Sequence, residues 1–210
     1  MKTYALLLLP VTLIACGEKE ADTAEMDTST QDTATEDTAT EDTAIDTGSQ
    51  GVFILADMLN QPSGCSDFTF FDRNEDDTIM LEVQGQGLAE SAHVAGDAQS
   101  FTYQLGELPS DFRVVVSFGT NLSYELCNDA LDPAIETVVD KRYLPVNGTM
   151  TLTVTPDGDP MGMGDFPAEL QVDIQFVDFC ADIGDGNTHH EDCFNVDDYT
   201  GAAAIGWLPG

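Results

Sequence analysis

Two stretches of this 210-residue chain crowd oxygen-bearing side chains together: Asp72-Arg73-Asn74-Glu75-Asp76-Asp77, and the region of Asp178, Asp182, Asp185, Asn187, Glu191 and Asp192. Calcium is a hard cation that takes six to eight oxygens from carboxylates, amides and main-chain carbonyls. Asp72, Asn74, Asp76, Asp182, Asp185 and Asn187 are therefore the candidate ligands of a calcium site. Neither stretch has the EF-hand spacing, and Asp and Asn are also ordinary turn formers because their side chains bond their own backbone. His189-His190-Glu191-Asp192-Cys193 has the residue types of a zinc site. Adjacent histidines on a strand point to opposite faces, however, and the His-Glu-x-x-His pattern is absent. Met161-Gly162-Met163 is a single pair of soft sulfur ligands in a Gly-rich turn, thin support for copper.

For catalysis there is no Gly-x-Ser-x-Gly elbow and no phosphate-binding Gly-rich loop. Acids are so abundant that many pairs meet the residue requirement of a glycosidase, which makes each pair uninformative. The reading is of a protein that is not an enzyme, with no cofactor unless the acidic loops hold calcium. A glycan hydrolase is the distant alternative.

The elements that would position these residues alternate with a period of two. Leu170, Val172, Ile174 and Phe176 share one face of Glu169–Phe176, and Thr149–Thr155 alternates in the same way. Further strands are expected at Phe68–Phe71, Thr78–Gln84, Ser100–Leu105, Phe112–Phe118 and Ser123–Leu126. Gly, Pro, Asn and Asp cluster between them, as at Asn147-Gly148. No segment shows a sustained, capped helical period, although Asp132–Asp140 fits a short helix or a strand. Many short strands without intervening helices predict an all-β antiparallel β-sandwich, immunoglobulin-like or jelly-roll-like, in one domain spanning residues 51–210.

The start of the chain is of another kind. Lys2 is followed by an apolar run, Tyr4 to Ala15, too short to span a bilayer as a helix, ending in Leu13-Ile14-Ala15-Cys16. This segment resembles the signal peptides of bacterial lipoproteins, whose lipobox reads Leu, a small or aliphatic residue, Ala or Gly, then Cys. The resemblance implies that residues 1–15 are removed and that Cys16 is lipidated. Several acyl chains, at about 0.8 kcal/mol per buried CH2, then hold the protein on a membrane. It also implies, through Gly17 where Asp would favour the inner membrane, an outer-membrane location in the bacterial cell envelope. The resemblance covers about the first 17 residues and says nothing of the domain beyond.

Residues 16–50 form an Asp/Glu/Thr/Ala-rich tether, and Met26 and Ile45 are its only large apolar side chains after the lipobox. Such a segment cannot bury enough surface to repay its ordering entropy, so disorder is expected. As a flexible coil it spans roughly 30–35 Å, and its like charges extend it further.

With Cys16 spent on lipid, Cys65, Cys127, Cys180 and Cys193 remain, an even number in an oxidising compartment. Two disulfides are expected from three possible connectivities. Cys180–Cys193, closing a short polar loop, and Cys65–Cys127 are favoured.

Between residues 51 and 210, 28 acids face only Arg73, Arg113, Lys141 and Arg142, a net charge of −24. Nucleic acid is excluded as a partner, because phosphate binding needs clustered Lys and Arg. A basic protein or a glycan fits better. The function expected is therefore non-catalytic: a lipid-anchored envelope protein presenting an acidic β-sandwich for binding or structural interaction. A calcium-dependent adhesion or ligand-binding module is the alternative.

Overall fold

The structure, a computed structural model, describes residues 55–158, 166–184 and 186–206. The lipobox with Cys16, the tether, Met161 and Met163, and Asp185 lie outside the described residues.

A one-turn helix α1 (Leu55–Met58) leads into β1 (Ser63–Cys65), β2 (Thr69–Arg73) and β3 (Ile79–Gln84). Helix α2 (Leu88–Ala95) and β4 (Gln99–Gln104) follow, then β5 (Arg113–Thr120), β6 (Val138–Pro145) and β7 (Thr149–Pro156). Two long strands, β8 (Ala168–Gly184) and β9 (Asn187–Ile205), complete the order. Every pairing is antiparallel, and the strands join in one continuous sheet, β1-β2-β3-β5-β6-β8-β7-β4, with β9 also on β8. The all-β antiparallel expectation is met, in the form of a sheet curled into a half-barrel.

Strand β8 makes the curl. Its first half pairs with β7 up to Gln175↔Thr149, and its second half pairs with β6 from Phe179↔Pro145. The change falls at Phe176, which leaves the ladder with φ +52. The curl divides the sheet into one arm, β1-β2-β3-β5-β6, and another, β4-β7-β8-β9. Between them lies the core. Phe70, Leu81, Val83, Val114 and Val116 come from the first arm; Met150, Leu152, Val154, Leu170, Val172 and Ile174 come from the second. Each is at most 2% exposed, and full burial of such side chains contributes about 1.5–3 kcal/mol apiece. Gly201 lets the arms close: a Cβ there would lie 2.8 Å from Phe70 Cζ.

Three expectations need correction, and a fourth, the strand alternative at Asp132–Asp140, is met in part. Ser123–Leu126 is a turn within the β5–β6 connection, because Leu122 plugs a second small core with Phe71 and Met80. A helix does form at Leu88–Ala95; Gly96 ends it in the left-handed conformation, its N–H donating to the Ala92 and His93 carbonyls. Residues 138–140 begin β6. Cys180 and Cys193 close a strand pair rather than a polar loop, lying directly opposite each other on β8 and β9.

The second cysteine pair is Cys65–Cys127, with Cα atoms 5.6 Å apart, and it fastens the β5–β6 loop to β1. Among the described residues, no helix is long and apolar enough to cross a membrane.

Candidate functional site

Three connections meet at one end of the sheet: the β2–β3 turn, the β5–β6 loop (residues 121–137) and the β8–β9 turn. The strand register requires it, since Ile79 pairs with Phe118, Phe118 with Lys141, and Tyr143 with Ala181.

The described candidate calcium ligands lie on or near these turns, and Asp72, Asn74 and Asp182 are bonded within the protein. Asp72 is not on the loop surface at all. It points into the core, 3% exposed, with Oδ1 accepting from the Gln61 N–H at 2.8 Å and Oδ2 from the Tyr199 hydroxyl at 2.8 Å. Burial holds its carboxyl above the ordinary range despite these bonds, and burial beside that charge pushes the Tyr199 hydroxyl up. Tyr199 therefore stays the donor.

Asn74 uses its carbonyl oxygen on the Thr78 and Ile79 N–H groups at 2.8 and 2.9 Å, which makes it a turn former. Asp76 is exposed at the tip. Asp182 Oδ1 accepts from the Gly184 N–H at 2.8 Å, and Asn187 donates to the Gly184 carbonyl at 3.4 Å. The two turns lie three strand spacings apart, roughly 14 Å along the curled sheet. Among the described residues, no three His, Cys, Asp or Glu side chains gather as a metal group.

His189 pairs with Ala181 on the ladder, whereas residues 190–192 fall in the register shift between Cys193 and His189. Asp192 meets Lys141 Nζ there at 2.5 Å and the Tyr143 hydroxyl at 3.2 Å. Each of Lys141 and Asp192 stabilises the other's charge, raising the lysine and lowering the acid.

Composition alone does not reveal how the β5–β6 loop is built. Asp77 accepts from both the N–H and the hydroxyl of Ser123, which ties the loop to the β2–β3 turn. Asn121 donates to the Glu136 carbonyl and Thr137 to the Asn121 carbonyl, so the two ends of the loop clasp each other. The loop and its neighbours expose Glu75, Asp76, Asp129, Asp132, Glu136 and Asp140. Among these acids stand the exposed apolar side chains Leu131, Ile135, Val138 and Val139, and Ile183 at 63%. This end of the molecule is both anionic and greasy.

Beneath the loop, on the outer face of the first arm, lies a groove of about 270 Å³. Its floor is Glu82 and Gln84 of β3, Arg113 and Ser117 of β5, and Arg142 of β6; Leu122, Glu125 and Leu126 supply the loop side. The register explains the grouping, because Gln84 faces Arg113 and Ser117 faces Arg142 across the ladders. Glu82 is 6% exposed and Ser117 3%, and among the described residues neither side chain has a hydrogen-bond or ion-pair partner. Of the four cations in the domain, only Lys141 makes an ion pair with a described residue. The sequence signal for the groove is two arginines on alternating strands amid many acids, too faint to single out without the register.

No protein-family model, curated protein or solved structure matches this chain.

Proposed function

We propose that this chain is a non-catalytic lipoprotein of the bacterial cell envelope, held at the outer membrane through Cys16 and carrying its domain on an acidic tether. The domain's loop end then binds a partner. Export is supported by the cysteines: all four in the domain lie in disulfide pairs, which persist in oxidising compartments. The observation that carries the binding role is the mixture of exposed acids with Leu131, Ile135, Val138, Val139 and Ile183 at one end. Exposed apolar side chains set among charged ones mark interaction sites, and the surrounding charge selects a basic protein over a glycan.

The same reading takes the two arms as facing layers of a sandwich, immunoglobulin-like or jelly-roll-like in architecture. The Tyr199–Asp72 bond and the approach of Phe70 to Gly201 support it.

Two other readings are weaker. Calcium-dependent binding loses support because Asp72, Asn74 and Asp182 already spend oxygens inside the protein. A hydrolase has one observation in its favour, that Glu82 and Glu125 line the same groove. Among the described residues, no aromatic side chain lines that groove to stack on a sugar ring.

Cell fractionation tests the anchor. Cys16→Ser should move the protein from the membrane fraction to the soluble fraction; retention in the membrane would refute lipidation. In the Cys16→Ser protein, Ile135→Asp and Ile183→Asp should then abolish salt-sensitive cross-linking to a cell-surface partner while leaving the unfolding temperature unchanged.

A further inference from the structure

We propose that the groove formed by Glu82, Arg113, Ser117 and Arg142 is a binding site for a compact zwitterion of the amino-acid type. Glu82 is mostly buried beneath the loop, and its carboxylate, whose oxygens still reach solvent, has no partner among the described residues and lines the groove. An ammonium group placed there supplies both the missing hydrogen bonds and the missing counter-charge.

Arg113 stands diagonally across the β3–β5 ladder from Glu82, which faces Val115, and Arg142 faces Ser117 on the next strand. A guanidinium is planar and grips a carboxylate through two parallel bonds. The floor thus offers a carboxylate grip beside an ammonium grip. Ser117, 3% exposed and without a side-chain partner among the described residues, adds a hydroxyl between them. Met80, Leu122 and Leu126 give the opposite wall an apolar surface for a side chain.

Charge decides between a zwitterion and a plain anion. The domain carries −24, so a free anion approaches against the field of the whole molecule. A zwitterion is neutral at a distance and feels the paired charges only once inside. The groove matches it, with two arginines against Glu82 and Glu125. At about 270 Å³ the space suits one small solute rather than an oligosaccharide. The proposal stands apart from the envelope reading, and failure of either leaves the other in place.

The test is thermal unfolding of the full chain in detergent, disulfides intact, alone and with each common amino acid at millimolar concentration. At ten times its dissociation constant, the cognate amino acid should raise the midpoint by about 3–6 °C. Its amine-only and carboxylate-only counterparts should not. Glu82→Gln, which keeps the shape, and Arg113→Ala/Arg142→Ala, which changes exposed side chains, should each weaken binding at least about tenfold. Arg73→Ala, outside the groove, should leave it unchanged. The proposal is overturned if no amino acid shifts the transition, or if the shift survives both groove variants. It is equally overturned if galacturonate shifts the transition while every amino acid fails, which would make the groove an acidic-sugar site.

Discussion

Asp72 is an acid kept inside a domain that has acids to spare, and its worth depends on two donors. Removing the Tyr199 hydroxyl with Tyr199→Phe leaves Oδ2 buried and unbonded, so stability to urea should fall by about 1–3 kcal/mol. The same carboxyl sets a pH dependence. Its folded value is raised above 3.8, chiefly by burial, so between those two values the native state holds a proton that the unfolded chain has lost. Its stabilising effect is thus full at low pH and declines as pH rises through the folded value. Asp192 acts in the opposite sense: Lys141 lowers it, so its contribution exists above 3.8 and fades as pH falls through the folded value. That pair is exposed and screened, and its share is small. Melting at constant ionic strength should therefore show the midpoint falling as pH rises from 3.8 through the folded Asp72 value, with Asp72→Asn flattening that fall.

At the level of elements, the legible strands were those with one wet face and one dry face. Strand β7 alternates Thr with Met, Leu and Val, and the first half of β8 alternates acids and amides with Leu, Val and Ile. Strand β9 was not legible. In its 19 residues the side chains that reach the core are few, Val196, Tyr199 and Ile205 among them, and its acids, histidines and small residues read as loop. What makes it a strand is β8 beside it along its length, a partner no local window contains. Helix α2 escaped for the opposite reason: eight residues are two turns, too few to show a period, and its first cap is Gly87 without a side-chain bond. The groove was hidden with the register, because Arg113 and Arg142 are 29 positions apart and meet only through β3, β5 and β6.

The two disulfides should differ in what they contribute. Removing Cys180–Cys193, which spans 13 residues, should cost about 3 kcal/mol by loop entropy, and removing Cys65–Cys127, spanning 62, about 4 kcal/mol. Paired Cys→Ser variants compared by chemical denaturation give both numbers, and a reversed order would mean that the long bridge distorts its surroundings.

For the molecule as a whole, the large excess of acids makes calcium the first metal to test. A specific site at a hundredfold excess of metal over its dissociation constant would add about 2.7 kcal/mol. Because Asp72, Asn74 and one Asp182 oxygen are bonded within the protein and the two turns lie apart, millimolar calcium at constant ionic strength should shift melting no more than magnesium does, relative to EDTA. A larger shift with calcium alone would return the acidic loops to the centre of the functional account.

The bridge between Cys65 and Cys127 also has a mechanical side. Were the chain anchored through Cys16 and gripped at the β5–β6 loop, as proposed, it would be under tension between those points. From α1 the covalent path reaches Cys65 within ten residues and crosses the bridge directly into that loop. The hydrogen-bonded ladders of β2, β3 and β5 are bypassed, like a sail on a separate stay. Once the bridge is reduced, the same pull runs along the chain over the sequence separation of 62 from Cys65 to Cys127, and the sheet itself becomes the weakest link in the line.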